Sequence, residues 1–280
     1  MTWRILLCSD GSPAAAMGAA MLAALRLIHN SQISILGVLE PGHEPSRLQR
    51  ALQDQASGLE APGTHLDIRL RPGHAAEEIL AEAESSAYDL VVVGTHGSRG
   101  LTRFRLGSTA GRLARHLTTS LLVCRQVPPA VQRILVCISG EEPSADTLRV
   151  GGSVAAGAGA KIRLVHVMSQ VALSWESPSD DLEATAEMAM ERKSREGLLL
   201  ARGMEALRTT APGVTVTPRL RHGLVVDEVL AEIRHGTDQL LVIGAHRAPE
   251  ASARLAPFLD DVADQLLTHA PCSVLIVRSK

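Results

Sequence analysis

Aromatic side chains are nearly absent from this sequence. Two Trp, one Tyr and two Phe make up 2% of its 280 residues, so Ala, Leu, Val and Ile must build the hydrophobic cores. Proteins that bind single-stranded nucleic acid stack the bases on aromatic side chains in a basic groove. This chain has few such side chains and a net charge of −2, which argues against nucleic acid as a partner.

Long apolar runs are also missing. The longest, residues 14–25, contains 12 residues, whereas a helix needs about 20 to cross a bilayer. The first apolar run, residues 5–8, is too short for a secretory signal. We therefore expect a cytoplasmic protein with no membrane partner.

Signatures of metal sites and of common catalytic centres are absent as well. The four cysteines form no Cys-x-x-Cys pair and lie in or beside apolar runs, which favours buried thiols in a reducing compartment. No Gly-x4-Gly-Lys-Ser/Thr loop, Gly-x-Ser-x-Gly elbow or His-Glu-x-x-His pair occurs. The sequence therefore predicts no dedicated catalysis and no metal ligands. The cysteines are Cys8, Cys124, Cys137 and Cys272.

The chain contains an internal repeat, which predicts two domains over residues 1–127 and 128–280, called here the N-terminal and C-terminal halves. The prolines at 128 and 129 cannot continue a strand or a helix, so residues 126–130 are interpreted as a linker. The recurring strings are Arg4-Ile5-Leu6 with Arg133-Ile134-Leu135, Leu80-Ala81-Glu82 with Leu230-Ala231-Glu232, and Val92-Val93-Gly94-x-His96 with Val242-Ile243-Gly244-x-His246.

Each half alternates strand-like and helix-like segments, which predicts an α/β fold: two tandem five-stranded parallel sheets flanked by helices, a Rossmann-like architecture. The segment 180–209 is rich in charge and is interpreted as one long, solvated outer helix. Strands are predicted near 3–8, 33–39, 65–71, 89–94, 120–125, 132–138, 161–168, 214–220, 239–244 and 273–278. The other helices are predicted near 13–29, 45–58, 74–86, 108–117, 144–157, 224–235 and 257–269.

A glycine pattern follows the fourth strand: Gly94-Thr95-His96-Gly97, nine further residues, then Gly107-Ser108. Strand, glycine loop and helix N-terminus is an arrangement that holds phosphate through backbone N–H groups. Residues 94–125 contain six arginines and no Asp or Glu, which suits an anion. The alternative is an ordinary strand–loop–helix connection in which Ser108 is the N-cap.

The pattern Gly94-x2-Gly97-x9-Gly107-Ser108 resembles the nucleotide-binding signature of the universal stress protein family. Residues 5–12 resemble that family's first strand and acidic turn, and the repeat extends the resemblance to two tandem copies. The resemblance implies a parallel sheet of the adenine nucleotide alpha-hydrolase-like type. It also implies that ATP, with Mg²⁺, lies across the carboxyl ends of the strands, where a switch in strand order places ligands on general grounds.

The resemblance assigns eight positions of this chain to the nucleotide. The acidic turn would lie near the adenosine, one valine would contact the adenine, and the two glycine segments would line the loop and hold the phosphates. Each residue has an ordinary alternative role: a helix-capping turn at Asp10, core packing at Val38 and a loop histidine at His96. The surface arginines 99, 103 and 105 are further candidates for phosphate contact. The eight positions are Asp10, Val38, Gly94, His96, Gly97, Gly107, Ser108 and Thr109.

The C-terminal copy departs from the pattern where the phosphates would lie. Ser139-Gly140 replaces the acidic turn, and Arg247 replaces the glycine after His246. Asp260 and Asp261 take the positions of Gly107 and Ser108. Two carboxylates suit a helix N-terminus but repel an anion. We therefore expect ATP in the N-terminal half only.

The leading hypothesis is an ATP-binding stress-response regulatory protein whose partners are an adenine nucleotide and unidentified proteins. One rival is a scaffold that binds no nucleotide. Another is a slow ATPase or phosphotransferase, for which Asp10 is the only candidate base. The final strands of the two halves, residues 121–123 and 274–277, are expected to pair within the chain as a pseudo-dimer, and two chains could pair further as a homodimer.

Overall fold

The structure is a computed structural model that describes residues 2–42, 44–95, 106–139, 144–168, 185–245 and 261–279. The N-terminal half contains β1 (Arg4–Ser9), α1 (Pro13–Ala24), β2 (Gln32–Leu39), α2 (Pro45–Ser57), β3 (His65–Pro72), α3 (Ala75–Ser85), β4 (Leu90–Gly94), α4 (Ser108–His116) and β5 (Ser120–Cys124). The C-terminal half contains β6 (Arg133–Ile138), α5 (Ala145–Ala158), β7 (Lys161–Met168), α6 (Ala186–Arg192), α7 (Arg195–Thr210), β8 (Val216–His222), α8 (Val225–Gly236), β9 (Leu240–Ala245), α9 (Asp261–His269) and β10 (Ser273–Arg278).

The strands form one sheet across both halves, in the order β3-β2-β1-β4-β5-β10-β9-β6-β7-β8. Within each half every strand pairing is parallel. The halves join where β5 and β10 pair antiparallel, with Leu122 opposite Leu275. The predicted α/β fold and the predicted pairing of the final strands are confirmed, and the two five-stranded sheets form one sheet of ten strands.

Helices cover both faces of the sheet, and the strands alternate their side chains between two hydrophobic layers. Leu7 and Val92 belong to the layer under α1, α2, α5 and α7, whereas Leu6 and Val91 belong to the layer under α3, α4, α8 and α9. Residues 90–93 are at most 5% exposed because both faces of β4 are covered. Among the described residues, no helix combines the length and the apolar character needed to span a bilayer.

The prediction of one long helix over residues 180–209 is wrong. The described part of this segment forms two helices, α6 and α7, separated at Lys193, which has a left-handed φ of 55°. The Ser194 side chain then accepts a hydrogen bond from the N–H of Gly197 and starts α7 as a new helix. Nor is α7 fully solvated, since Leu200 and Leu207 are completely buried. Residues 180–184 lie outside the described residues.

The helix predicted over 13–29 is also too long, because α1 ends at Ala24. The chain then takes positive φ values at Arg26 and Asn30, which no helix continues.

Two buried arginines tie the halves together reciprocally. Arg125 follows β5 and donates to the carbonyl oxygens of Leu267 and Ala270 at the C-terminal end of α9. Arg278 ends β10 and donates to the carbonyl oxygen of Ala114 in the last turns of α4. The last carbonyls of a helix lack intrahelical partners and carry partial negative charge, so each half caps a helix of the other.

Arg125→Ala is expected to lower the free energy of unfolding by about 2 to 3 kcal/mol, because buried carbonyl oxygens lose charge-assisted hydrogen bonds. The control is Arg115→Ala, which removes an exposed ion pair of 3.5 Å with Asp264 between the same two halves. That pair is expected to contribute less than about 1 kcal/mol. Urea unfolding of both variants measures the difference, and equal losses would mean that the buried caps contribute no more than a surface contact.

Candidate functional site

A cavity of about 310 Å³ opens at the carboxyl ends of the strands in the N-terminal half. It lies where the strand order reverses: from β1 the chain continues outward to β2 and β3, then crosses back to β4 on the other side of β1. Ligands of open α/β sheets bind at such a switch point. The volume is at the lower end of the range of about 300 to 1,000 Å³ that is usual for small-molecule sites.

The turn after β1 forms one wall of the cavity. The Asp10 carboxylate accepts a hydrogen bond of 2.9 Å from the N–H of Ser12, and Gly11 takes a φ of 75°. The Ser12 hydroxyl in turn accepts from the N–H of Ala15 at 3.2 Å and caps α1, which begins at Pro13. The capping role predicted for this turn is confirmed, and it fixes the Asp10 side chain beside the cavity.

The end of β4 forms the opposite wall and packs unusually close to α1. A Cβ placed on Gly94 would lie 1.8 Å from the carbonyl oxygen of Ala14, far inside van der Waals contact. The N–H of the next residue, Thr95, donates to the carbonyl oxygen of Cys124 at 2.8 Å. Glycine at this position therefore allows the strand to reach the helix, and it places the strand end at the cavity.

The N-terminus of α4 closes the third side. Gly107 is the N-cap residue and Ser108 is the first helical residue, so the interpretation of Ser108 as the N-cap is wrong. No described side chain caps this helix, and its first turn contains no acidic residue. The first N–H groups of a helix have no intrahelical partner. Among the described residues, nothing lies within 4 Å of a Cβ placed on Gly107.

The floor between these walls is apolar. Val38 is only 5% exposed, and it lines the cavity together with Leu36, Ile79 and Val93. Burial raises the pKa of the Cys8 thiol, which also lines the cavity, so this thiol is not a nucleophile at neutral pH. All four cysteines are free. No group of three metal-ligating side chains occurs within the described residues.

The structure brings six of the eight candidate residues to this one cavity and leaves two untested. His96 and Gly97 lie outside the described residues, as do the arginines at 99, 103 and 105. Glu40 and Ala75 were not singled out in the sequence, although Glu40 follows directly after a strand that ends at the cavity. The six residues that line the cavity are Asp10, Val38, Gly94, Gly107, Ser108 and Thr109.

The corresponding cavity of the C-terminal half is smaller and less polar. Its volume is about 100 Å³, and Val225 and Val262 stand where the N-terminal half has Ala75 and Thr109. The first turn of α9 carries Asp261 and Asp264. Arg247 and Asp260, which the sequence predicts to distinguish this half from the N-terminal half, lie outside the described residues. The C-terminal cavity thus has an acidic helix start and bulkier apolar walls.

Comparison with known proteins identifies relatives along the whole chain. The model of the universal stress protein family matches residues 1–125 and again residues 130–278. A universal stress protein of Synechocystis sp. is 28% identical over 122 residues, which cover 44% of this chain and 42% of that protein, less than half its length. A universal stress protein of Thermus aquaticus is 30% identical over 133 residues, covering 43% of this chain and 97% of that protein.

Among solved structures, a universal stress protein from Archaeoglobus fulgidus superposes on the chain with a TM-score of 0.69. The match covers 98% of both chains at 16% sequence identity. This likeness shows that both chains share the fold across the two halves.

Proposed function

Because the chain belongs to the universal stress protein family, with the family pattern matched once in each half, we propose that it is a regulatory protein that binds ATP in its N-terminal half only. Nucleotide occupancy would change its shape or its affinity for a protein partner.

The uncapped start of α4 carries this proposal. No described atom lies within 4 Å of a Cβ placed on Gly107, and the partial positive charge of a helix N-terminus favours an anion there. The hydroxyl groups of Ser108 and Thr109 line the same cavity and supply further donors. A phosphate group at this place would receive backbone and side-chain hydrogen bonds together.

The remaining walls suit the nucleoside. Val38 and Ile79 provide an apolar surface for a flat base, and Asp10 provides an acceptor for a hydroxyl group beside it. The described acidic residues of the cavity, Asp10 and Glu40, follow β1 and β2, and the first turn of α4 contains none. Mg²⁺ would therefore be held chiefly by the phosphate oxygens and water, as is usual for this ion.

The described part of the C-terminal half is less suited to a triphosphate. Asp261 and Asp264 place negative charge in the first turn of α9, and the cavity has about a third of the volume of its counterpart, 100 Å³ against 310 Å³. Two like charges about 4 Å apart repel by roughly 1 to 4 kcal/mol, depending on the effective dielectric. A triphosphate would meet several such repulsions.

Calorimetric titration of nucleotide-free protein with Mg²⁺ and ATP tests the proposal. One nucleotide per chain is expected. Two per chain would overturn the restriction to the N-terminal half, and no binding at millimolar ATP would favour a scaffold that acts through protein contacts. Sustained phosphate release that is lost in Asp10→Asn would favour a slow ATPase instead.

A further inference from the structure

The cavity at the carboxyl ends of the strands in the C-terminal half is small and mostly apolar. Aliphatic side chains of the strands and of α8 and α9, two helices that pack side by side, form its walls. Its volume of about 100 Å³ is below the roughly 150 Å³ of an apolar protein cavity that holds benzene, a molecule of six carbon atoms. The cavity therefore has room for one branched aliphatic group, such as the four-carbon side chain of leucine.

Exposed aliphatic side chains lie at the start of both helices that wall this cavity. Leu224, the N-cap residue of α8, is 63% exposed, more than any other large hydrophobic residue that the structure describes. The next residue, Val225, lines the cavity. Val262, the second residue of α9, lines it as well and is 37% exposed. Scattered exposed apolar residues are ordinary, but apolar residues grouped at an apolar cavity are typical of an interaction site.

The matching positions of the N-terminal half carry polar side chains. The repeat aligns Leu224 with His74, which is also exposed, and Val262 with Thr109. Both exposed aliphatic residues therefore replace polar ones at the start of equivalent helices. The C-terminal cavity thus differs from its counterpart in chemistry as well as in volume, and it suits an apolar group.

Acidic side chains accompany the apolar ones at the same two helix starts. The first turns of α8 and α9 contain Asp227, Glu228, Asp261 and Asp264, and neither turn contains a basic residue. Asp264 forms the ion pair with Arg115, whereas the other three form no ion pair within the described residues. One helical turn spans about 5.4 Å and the screening length at physiological salt is about 8 Å, so these charges act together on a nearby ligand.

We propose that the cavity and these two helix starts, called here the C-terminal docking site, bind a basic segment of another protein. The segment inserts one aliphatic side chain, such as that of leucine, into the cavity and places Lys or Arg side chains beside the acidic residues. Burial of the aliphatic side chain supplies most of the affinity, and the charges select a basic partner over an acidic one. The docking site does not depend on nucleotide binding in the N-terminal half.

A short synthetic peptide, acetyl-Lys-Arg-Leu-Arg-Lys-amide, tests the docking site on the full chain. NMR spectra of protein with isotope-labelled Val, Leu and Ile methyl groups report binding at each position, even when it is weak. The methyl signals of Val225, Val229 and Val262, which line the C-terminal cavity, are expected to shift as peptide is added. The signals of Val38 and Val93, in the N-terminal cavity, are expected to stay in place.

Two altered peptides separate the contributions of the aliphatic side chain and of the charge. Replacing the leucine by alanine is expected to weaken binding about tenfold or more, because a buried leucine side chain is lost. Replacing all four basic residues by glutamate is expected to abolish detectable binding, because like charges then face each other.

Two variants of the protein make the same separation from the other side. Val262→Thr keeps the shape but introduces the hydroxyl group that the N-terminal half has at this position, and it is expected to weaken peptide binding about threefold or more. Asp261→Asn removes one exposed charge and is expected to weaken binding about two- to fivefold. The matched control is Asp54→Asn, an exposed site on α2 at the other face of the sheet, where no effect is expected. Urea unfolding checks that each variant is folded.

Four results would overturn the inference. No methyl shift in the C-terminal cavity at millimolar peptide would mean that it does not bind a basic aliphatic segment. Equal binding of the alanine peptide would leave only a charge effect, and equal binding of the glutamate peptide would remove the charge selection. Methyl shifts at the cavity that depend on protein concentration without peptide would make a second copy of this chain the occupant. Each result is independent of the ATP titration that tests the proposed function.

Discussion

Gly107→Asp is expected to abolish ATP binding without loss of stability. A Cβ at residue 107 meets none of the described atoms within 4 Å, and the backbone there, with φ −61° and ψ 150°, suits any residue. Aspartate is also a favourable N-cap, so the free energy of unfolding should stay the same or rise by up to about 1 kcal/mol. The carboxylate would lie beside the proposed phosphate position, where each like-charge repulsion is roughly 1 to 4 kcal/mol.

Gly107→Asn is the matched control because it has nearly the same size and capping ability without the charge. Calorimetric titration with Mg²⁺ and ATP, together with urea unfolding, compares the two variants. Asparagine is expected to retain most of the affinity. Equal loss in both variants would mean that the site rejects any side chain, and retained binding in Gly107→Asp would place the phosphates elsewhere.

Gly94→Ala is expected to have the opposite outcome, a large loss of stability. The added methyl group would lie 1.8 Å from the carbonyl oxygen of Ala14 and 2.6 Å from its carbonyl carbon. Both atoms belong to the backbone, so α1 would have to move away from β4. Overpacking that displaces backbone is among the costlier single changes, and we expect a loss of about 3 to 5 kcal/mol in the free energy of unfolding.

Gly107→Ala controls for the loss of glycine itself. It makes the same chemical change in the same cavity but adds a methyl group where no described atom lies within 4 Å, so its unfolding midpoint in urea should shift little. A similar small shift for Gly94→Ala would mean that β4 and α1 can separate easily. The rigid wall described for the cavity would then be wrong.

These two glycines show how far the sequence could predict the site. Both belong to the same spaced pattern, and the pattern alone cannot tell their roles apart. Gly94 is required by a backbone contact with a residue 80 positions earlier, which only the folded chain reveals. Gly107 is not required by packing among the described residues, and its role in the proposed phosphate site is what Gly107→Asp tests.

The repeat and the alternating strands and helices predicted the architecture well. The continuously apolar segment at residues 90–93 marked a strand covered on both faces, and the matching final strands marked the junction between β5 and β10. The break at Lys193 could not be predicted, because a left-handed φ at a lysine leaves no mark in the charge pattern. Glu40 was overlooked because its significance depends on α3 closing over the end of β2.

A crystal structure of the full chain grown with a saturating, non-hydrolysable ATP analogue and Mg²⁺ tests the central claim most directly. The account predicts electron density for a triphosphate against the amides of Gly107, Ser108 and Thr109, with the base beside Val38. It predicts none at the start of α9. A nucleotide bound at Asp261, or a phosphate chain lying at Glu40, would contradict it.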